Sequence, residues 1–137
     1  MGTSQDPVEV VTALVDAFGR LDVKAMTAHL APDVEACITN AEGGRDAIVG
    51  RDALLARISA VDYGDARLTL AVTDSTATRA GQALVMVEVR ATRPDGRTLH
   101  NHAAHLCDVT GGRVSRWWMV EALPAESDRF WAAVTDG

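Results

Sequence analysis

From Ala66 onward the chain settles into a period of two, and that change constrains the fold more than any other feature of the sequence. Four strand-like runs follow one another, roughly 66–78, 81–93, 98–109 and 113–122. Their breaks are Ala80-Gly81, Arg93-Pro94-Asp95-Gly96 and Thr110-Gly111-Gly112, clusters of hairpin length built from turn-forming residues. Runs joined so briefly make an antiparallel meander, because a parallel return needs a far longer crossover.

Ahead of the meander the periodicity is helical. Asp6 can cap a first helix and Pro7 suits its first position, after which Val8, Val11, Val15 and Phe18 recur at helical spacing beside Leu14. A second short helix follows Asp22, with Val23, Met26 and Leu30 on one stripe, and stops at Pro32. Residues 34–39 read as a strand and Asn40 to Gly50 as a loop. A third helix opens near Arg51-Asp52 and buries Leu54, Leu55, Ile58 and Val61, while Pro124 to Val134 reads as a closing helix. Helices first and strands afterwards predict an α+β domain rather than alternating α/β. The expectation is one domain over 1–137, with residues 1–5 flexible.

Composition excludes several partners. Thirteen Lys and Arg are scattered among 19 acids for a formal charge of -6, which suits neither nucleic acid nor an anionic membrane surface. No apolar run approaches the ~20 residues of a membrane span. The first residues lack the basic and apolar regions of a signal peptide, so the expected location is cytoplasmic. Cys37 and Cys107 form no CxxC pair and lie in apolar segments, where cysteine serves as a small buried hydrophobe. No Gly-rich phosphate loop follows a strand, and no cofactor is expected.

The order of elements carries two local features: Val49-Gly50-Arg51-Asp52-Ala53-Leu54, and the hairpin-plus-strand Gly111-Gly112-Arg113-Val114-Ser115-Arg116-Trp117-Trp118. In this order and separation they resemble the nuclear-transport-factor-2-like superfamily over nearly the whole chain. Within it the chain is similar to the SnoaL-like group, which includes polyketide cyclases and sits beside ketosteroid isomerases. The resemblance implies a cone: a curved antiparallel sheet wrapped around three N-terminal helices, with a short C-terminal helix. It also implies an apolar pocket for a small molecule and a homodimer formed through the outer sheet face.

The family's catalytic groups do not carry over. By the resemblance, the isomerase tyrosine falls on Leu14, its base on or near Ile38 and its late-strand acid on His105, while the cyclase aspartate falls on Met119. The remaining candidates come from strand parity. Leu99, Asn101, Ala103, His105 and Cys107 share one face, and Ser115, Trp117, Met119 and Glu121 share another; the comparison turns both faces inward. His105 is then the leading acid–base candidate, because imidazole titrates near neutrality, with a buried histidine bonded to a neighbour as its structural alternative; Glu121 is the second, its alternative a charge at the pocket rim or dimer edge. Asn101 could orient a substrate carbonyl or equally serve as a structural amide; Trp117, Met119, Leu14 and Ile38 would line an apolar pocket, and Tyr63 could reach its mouth. Trp118, Phe130 and Trp131 read as core or closing-helix anchors.

His100-x-His102 places two imidazoles ~6.6 Å apart on the opposite face, close enough to chelate. A third ligand is required and the neighbouring sequence supplies none, so no metal is expected and a polar patch at a dimer contact is the blander reading. Function is expected to be cofactor-free cyclase or isomerase chemistry on an apolar, carbonyl-bearing or polycyclic metabolite. The alternatives are a non-catalytic binder using the same pocket, or an interaction module using the outer sheet. Epoxide opening is a further activity of the scaffold, but it would need inward acid–base groups that this sequence does not assemble.

Overall fold

The computed structural model describes residues 6–60, 63 and 65–132. The expected flexibility of residues 1–5, the burial of Val61 and the last turn of the closing helix to Val134 fall outside that set. The elements are α1 (Pro7–Gly19), α2 (Val23–His29), β1 (Leu30–Thr39), β2 (Arg45–Val49), α3 (Arg51–Ser59), β3 (Arg67–Arg79), β4 (Gln82–Thr92), β5 (Thr98–Thr110), β6 (Arg113–Glu121) and α4 (Pro124–Ala132).

Local chemistry sets the helix starts. The Asp6 carboxylate accepts from Val8 N–H at 3.0 Å and Pro7 takes the first turn, where its missing N–H costs nothing. Asp22 caps α2 by accepting from Ala25 N–H at 3.1 Å. Helix α2 ends at His29, and Leu30 already belongs to a strand. Pro32 sits where the β1–β6 register shifts, between Leu30 and Glu35. A residue without a backbone donor is tolerated at such a break.

The six strands form one sheet in the order β2-β1-β6-β5-β4-β3. The meander β3 to β6 is antiparallel as expected. Gly111 and Gly112, at φ 61° and 78°, form the two-residue turn between Thr110 and Arg113, and two consecutive positive φ values are what a type I′ turn demands. Two expectations change. The segment Asn40 to Gly50 is not all loop: Arg45–Val49 pairs antiparallel with β1 as an edge strand. The sheet is mixed rather than wholly antiparallel, because β1 runs parallel to β6. Register shifts within β3–β4 and β5–β6 supply the local twist that lets such a sheet curl.

Helix α1 packs across β3, β4 and β5, and α3 packs on β1. The core between them is built from Val11, Leu14, Val15, Met26, Leu54, Val85, Val87 and Trp117, all fully or almost fully buried. A second small cluster of Ala91, Leu99 and Phe130 holds α4 against the sheet. Gly19 lets the end of α1 reach β3; a Cβ there would stand 3.3 Å from Leu70 Cβ.

Candidate active site

The inner sheet face and the helices line a cavity of about 370 Å³ that is open on one side. Its wall is formed by Phe18, Ile38, Arg57, Ile58, Tyr63, Leu68, Leu70, Val89, Ala103, His105, Met119, Glu121, Ser127, Asp128 and Trp131. Five of the eight residues picked from the sequence stand there: His105, Glu121, Met119, Ile38 and Tyr63. Odd-numbered positions of β5 and β6 do turn inward, with His105 2% and Met119 8% exposed.

The other three stand behind the wall. Leu14 is fully buried in the main core. Trp117 is also fully buried, but its indole Nε1–H donates to His105 Nδ1 at 3.0 Å. Asn101 does not face a ligand: its Oδ1 accepts from His102 N–H at 2.8 Å and Leu123 N–H at 3.0 Å, and its Nδ2 donates to the Leu123 carbonyl. It fastens the β6–α4 joint, and α4 in turn carries Ser127, Asp128 and Trp131 to the cavity.

The chemistry of His105 follows from that one bond. An indole N–H can only donate, so Nδ1 must accept, and the neutral ring carries its proton on Nε2. Phe18 packs edge-on against both rings, at 6.5 Å from His105 and 6.1 Å from Trp117. Burial lowers the imidazole from 6.5 to about 4. His105 is therefore neutral at physiological pH, and its free capacity is a fixed N–H donor. With Nδ1 occupied by the indole N–H, the nitrogen left facing the cavity is the protonated Nε2.

A stability consequence arises here. Between pH 6.5 and about 4 the unfolded chain protonates this imidazole while the folded protein keeps it neutral. Stability from its neutral burial is therefore complete above pH 6.5 and is lost as pH falls through that window, by about 3 kcal/mol. Glu121 shifts with the opposite sign, so a difference between variants is needed. On going from pH 7 to pH 4, urea denaturation should show wild type losing about 3 kcal/mol more than His105→Gln. Parallel pH curves for the two proteins would contradict this.

Glu121 lies beside His105 on the neighbouring strand. Its register partner is Ala103, and His105 pairs with Met119. The two side chains are thus diagonal neighbours on one face, with backbones about 7–8 Å apart. Burial raises the Glu121 carboxyl above its usual range; a hydrogen bond with Ser127 partly opposes the shift and the Asp128 charge adds to it. A carboxylate made more basic in this way, next to a fixed N–H donor in an apolar hollow, can exchange a proton with a ligand.

The mouth is held by polar contacts outside the sequence reading. Tyr63 donates from its hydroxyl to the Ile58 carbonyl at 3.2 Å, burial pushes its phenol to about 12, and its ring meets Trp131 edge-on at 5.1 Å. Arg93, 7% exposed, lies 5.0 Å over Phe130 and 5.3 Å over Trp131 and donates to the Tyr63 carbonyl. Trp131 is thus both the expected closing-helix anchor and a wall of the cavity. Trp118 is not core: it is half-buried on the outer face, under Arg116 at 5.5 Å. Arg57 pairs with Asp46 at 3.0 Å at the rim.

Cys37 and Cys107 are both free thiols, and burial pushes the Cys107 thiol up and away from reactivity. Among the described residues, no helix is long and apolar enough to cross a membrane.

Comparison with known proteins places this geometry. An uncharacterised protein of Mycobacterium tuberculosis strain H37Rv is 29% identical over 131 residues, covering 95% of this chain and 99% of its own length. A solved structure of a candidate polyketide cyclase from Xanthomonas campestris superposes with a TM-score of 0.71 at 24% identity, over 97% of this chain and 99% of that one. A nuclear-transport-factor-2-like protein of unknown function from Burkholderia pseudomallei gives 0.73 at 24% identity, over 96% and 98%. The family model of the SnoaL-like domain matches residues 11–117, from the core side of α1 to the indole that fixes His105. The chain belongs to the SnoaL-like domain family.

Proposed function

We propose that the cavity binds a small apolar carbonyl compound and that the protein moves a proton at the carbon beside the carbonyl. Glu121 is the base: its carboxylate takes the proton, and its raised affinity for protons makes that transfer easier. His105 Nε2–H holds the carbonyl oxygen as negative charge develops on it, the task of a preorganised donor in a dry site. The proton then returns at another carbon, giving an isomer, or the enolate attacks a second carbonyl, closing a ring. The atoms balance without a cofactor.

The observation that carries this reading is the Trp117–His105 bond, which fixes the tautomer that presents a donor. The volume of about 370 Å³ lies at the low end of the ~300–1,000 Å³ of sites for drug-sized molecules, which favours small ring systems. A second reading, binding without turnover, is favoured by the apolar Leu14 and Ile38 where the isomerase comparison puts a tyrosine and a base. A homodimer through the outer sheet face remains part of the proposal, supported by the exposed Met86 and Val120 that flank Ala104 there.

The test is a panel of cyclic ketones and 1,3-dicarbonyl compounds, each beside its carbonyl-free analogue. Carbonyl compounds should raise the melting temperature more than their analogues, and a bound one should exchange its α-hydrogens with solvent deuterium faster than in buffer. Stabilisation without exchange would select the binding reading. Equal shifts for both members of each pair would remove His105 as a carbonyl donor.

A further inference from the structure

We propose that Glu88, His100 and His102 form a zinc site on the outer face of the sheet, on the opposite side from the cavity. The sequence offers only the histidine pair; the fold supplies the third ligand. Glu88 on β4 is the register partner of His102 on β5, and His100 lies two residues earlier on the same face. His100 Nε2 is 2.8 Å from Glu88 Oε2, and the two imidazole rings are 5.2 Å apart. One ligand atom from each of the three residues falls within 4.8 Å of the others.

Zinc ligands at about 2.0–2.2 Å in a tetrahedron stand roughly 3.3–3.6 Å from one another, so the three groups need close by only about 1 Å. The side chains can do that: His100 and His102 are exposed, and the strands beneath them are fixed by the ladder. Two imidazoles and a carboxylate favour zinc and its neighbours over magnesium or calcium, which prefer all-oxygen shells. Three protein ligands leave a fourth position for water or an incoming group. Arg90 Nη2 also meets Glu88 Oε2, at 3.2 Å, and a bound cation would have to displace it or share the carboxylate.

The site is tested with tag-free, metal-stripped protein titrated with zinc sulfate by calorimetry. One zinc ion per chain is expected. His100→Ala, His102→Ala and Glu88→Gln should each weaken binding at least about tenfold, since losing a ligand costs no less than losing a group behind one. His29→Ala, a histidine on α2, should bind as wild type does, and magnesium should not compete. Because the three side chains belong to neither core cluster, urea midpoints should stay close to wild type, which separates lost ligation from lost folding. Stoichiometry well below one, or unchanged affinity in the three variants, would overturn the proposal.

Discussion

Glu121→Gln is expected to slow turnover of a carbonyl substrate by about 100- to 10,000-fold while leaving its affinity nearly unchanged. The amide keeps the size of the side chain and its reach toward Ser127, but it cannot take a proton. The loss should therefore appear in kcat, with the ligand-induced rise in melting temperature preserved. His105→Gln behaves differently on this account. It should weaken carbonyl binding and lower kcat together, because the donor to the oxygen acts before and during the transfer. A Glu121→Gln protein within a few-fold of wild type would move the base elsewhere, and Asp128 is the other carboxylate among the described residues that line the cavity.

Trp117→Ala is expected to remove about 3–5 kcal/mol of folding stability, a large part of the ~5–15 kcal/mol that a domain has. The side chain is fully buried in the main core, so its removal leaves a hole that the surrounding β-strands cannot readily fill. Trp117→Phe separates packing from the hydrogen bond. It keeps most of the volume and strips the N–H, leaving His105 Nδ1 buried without its donor, at a cost of about 1–3 kcal/mol. Urea denaturation of both variants gives the two numbers. A phenylalanine variant as stable as wild type would mean that the indole serves only to fill space.

The meander and its inner face were legible because period-two alternation and glycine-bearing turns are local. Gly111-Gly112 sets the β5–β6 hairpin, but the register that pairs His105 with Met119, and so puts His105 and Glu121 on one face, comes only after the shift between Asp108 and Val109. What stayed hidden is what depends on residues far apart in the chain. Strand β2 is five residues long, alternates exposed with half-buried positions and buries none fully, so its pattern is too weak to outweigh the turn residues before it. The parallel β1–β6 pairing has no local signature at all. Asn101 stayed open between a ligand-facing and a structural amide, because nothing in its own strand announces that Leu123 will lie against it.

The tautomer of His105 was hidden for the same reason. Parity and the family resemblance together turned the residue inward, but only the position of Trp117 on the next strand decides which nitrogen is free. Glu88 lies 12 residues from His100 and reaches it only through the β4–β5 hairpin. Arg93 read as part of a turn, yet it lies over Phe130 and Trp131 and holds the closing helix.

Nitrogen-15 NMR of the His105 imidazole between pH 7 and pH 5 reaches the central claim most directly. A buried ring whose Nδ1 accepts from an indole should give the pattern of a neutral ring with hydrogen on Nε2, unchanged across that range. A proton on Nδ1, or a ring that becomes doubly protonated near pH 6, would contradict the donor role and the reaction built on it.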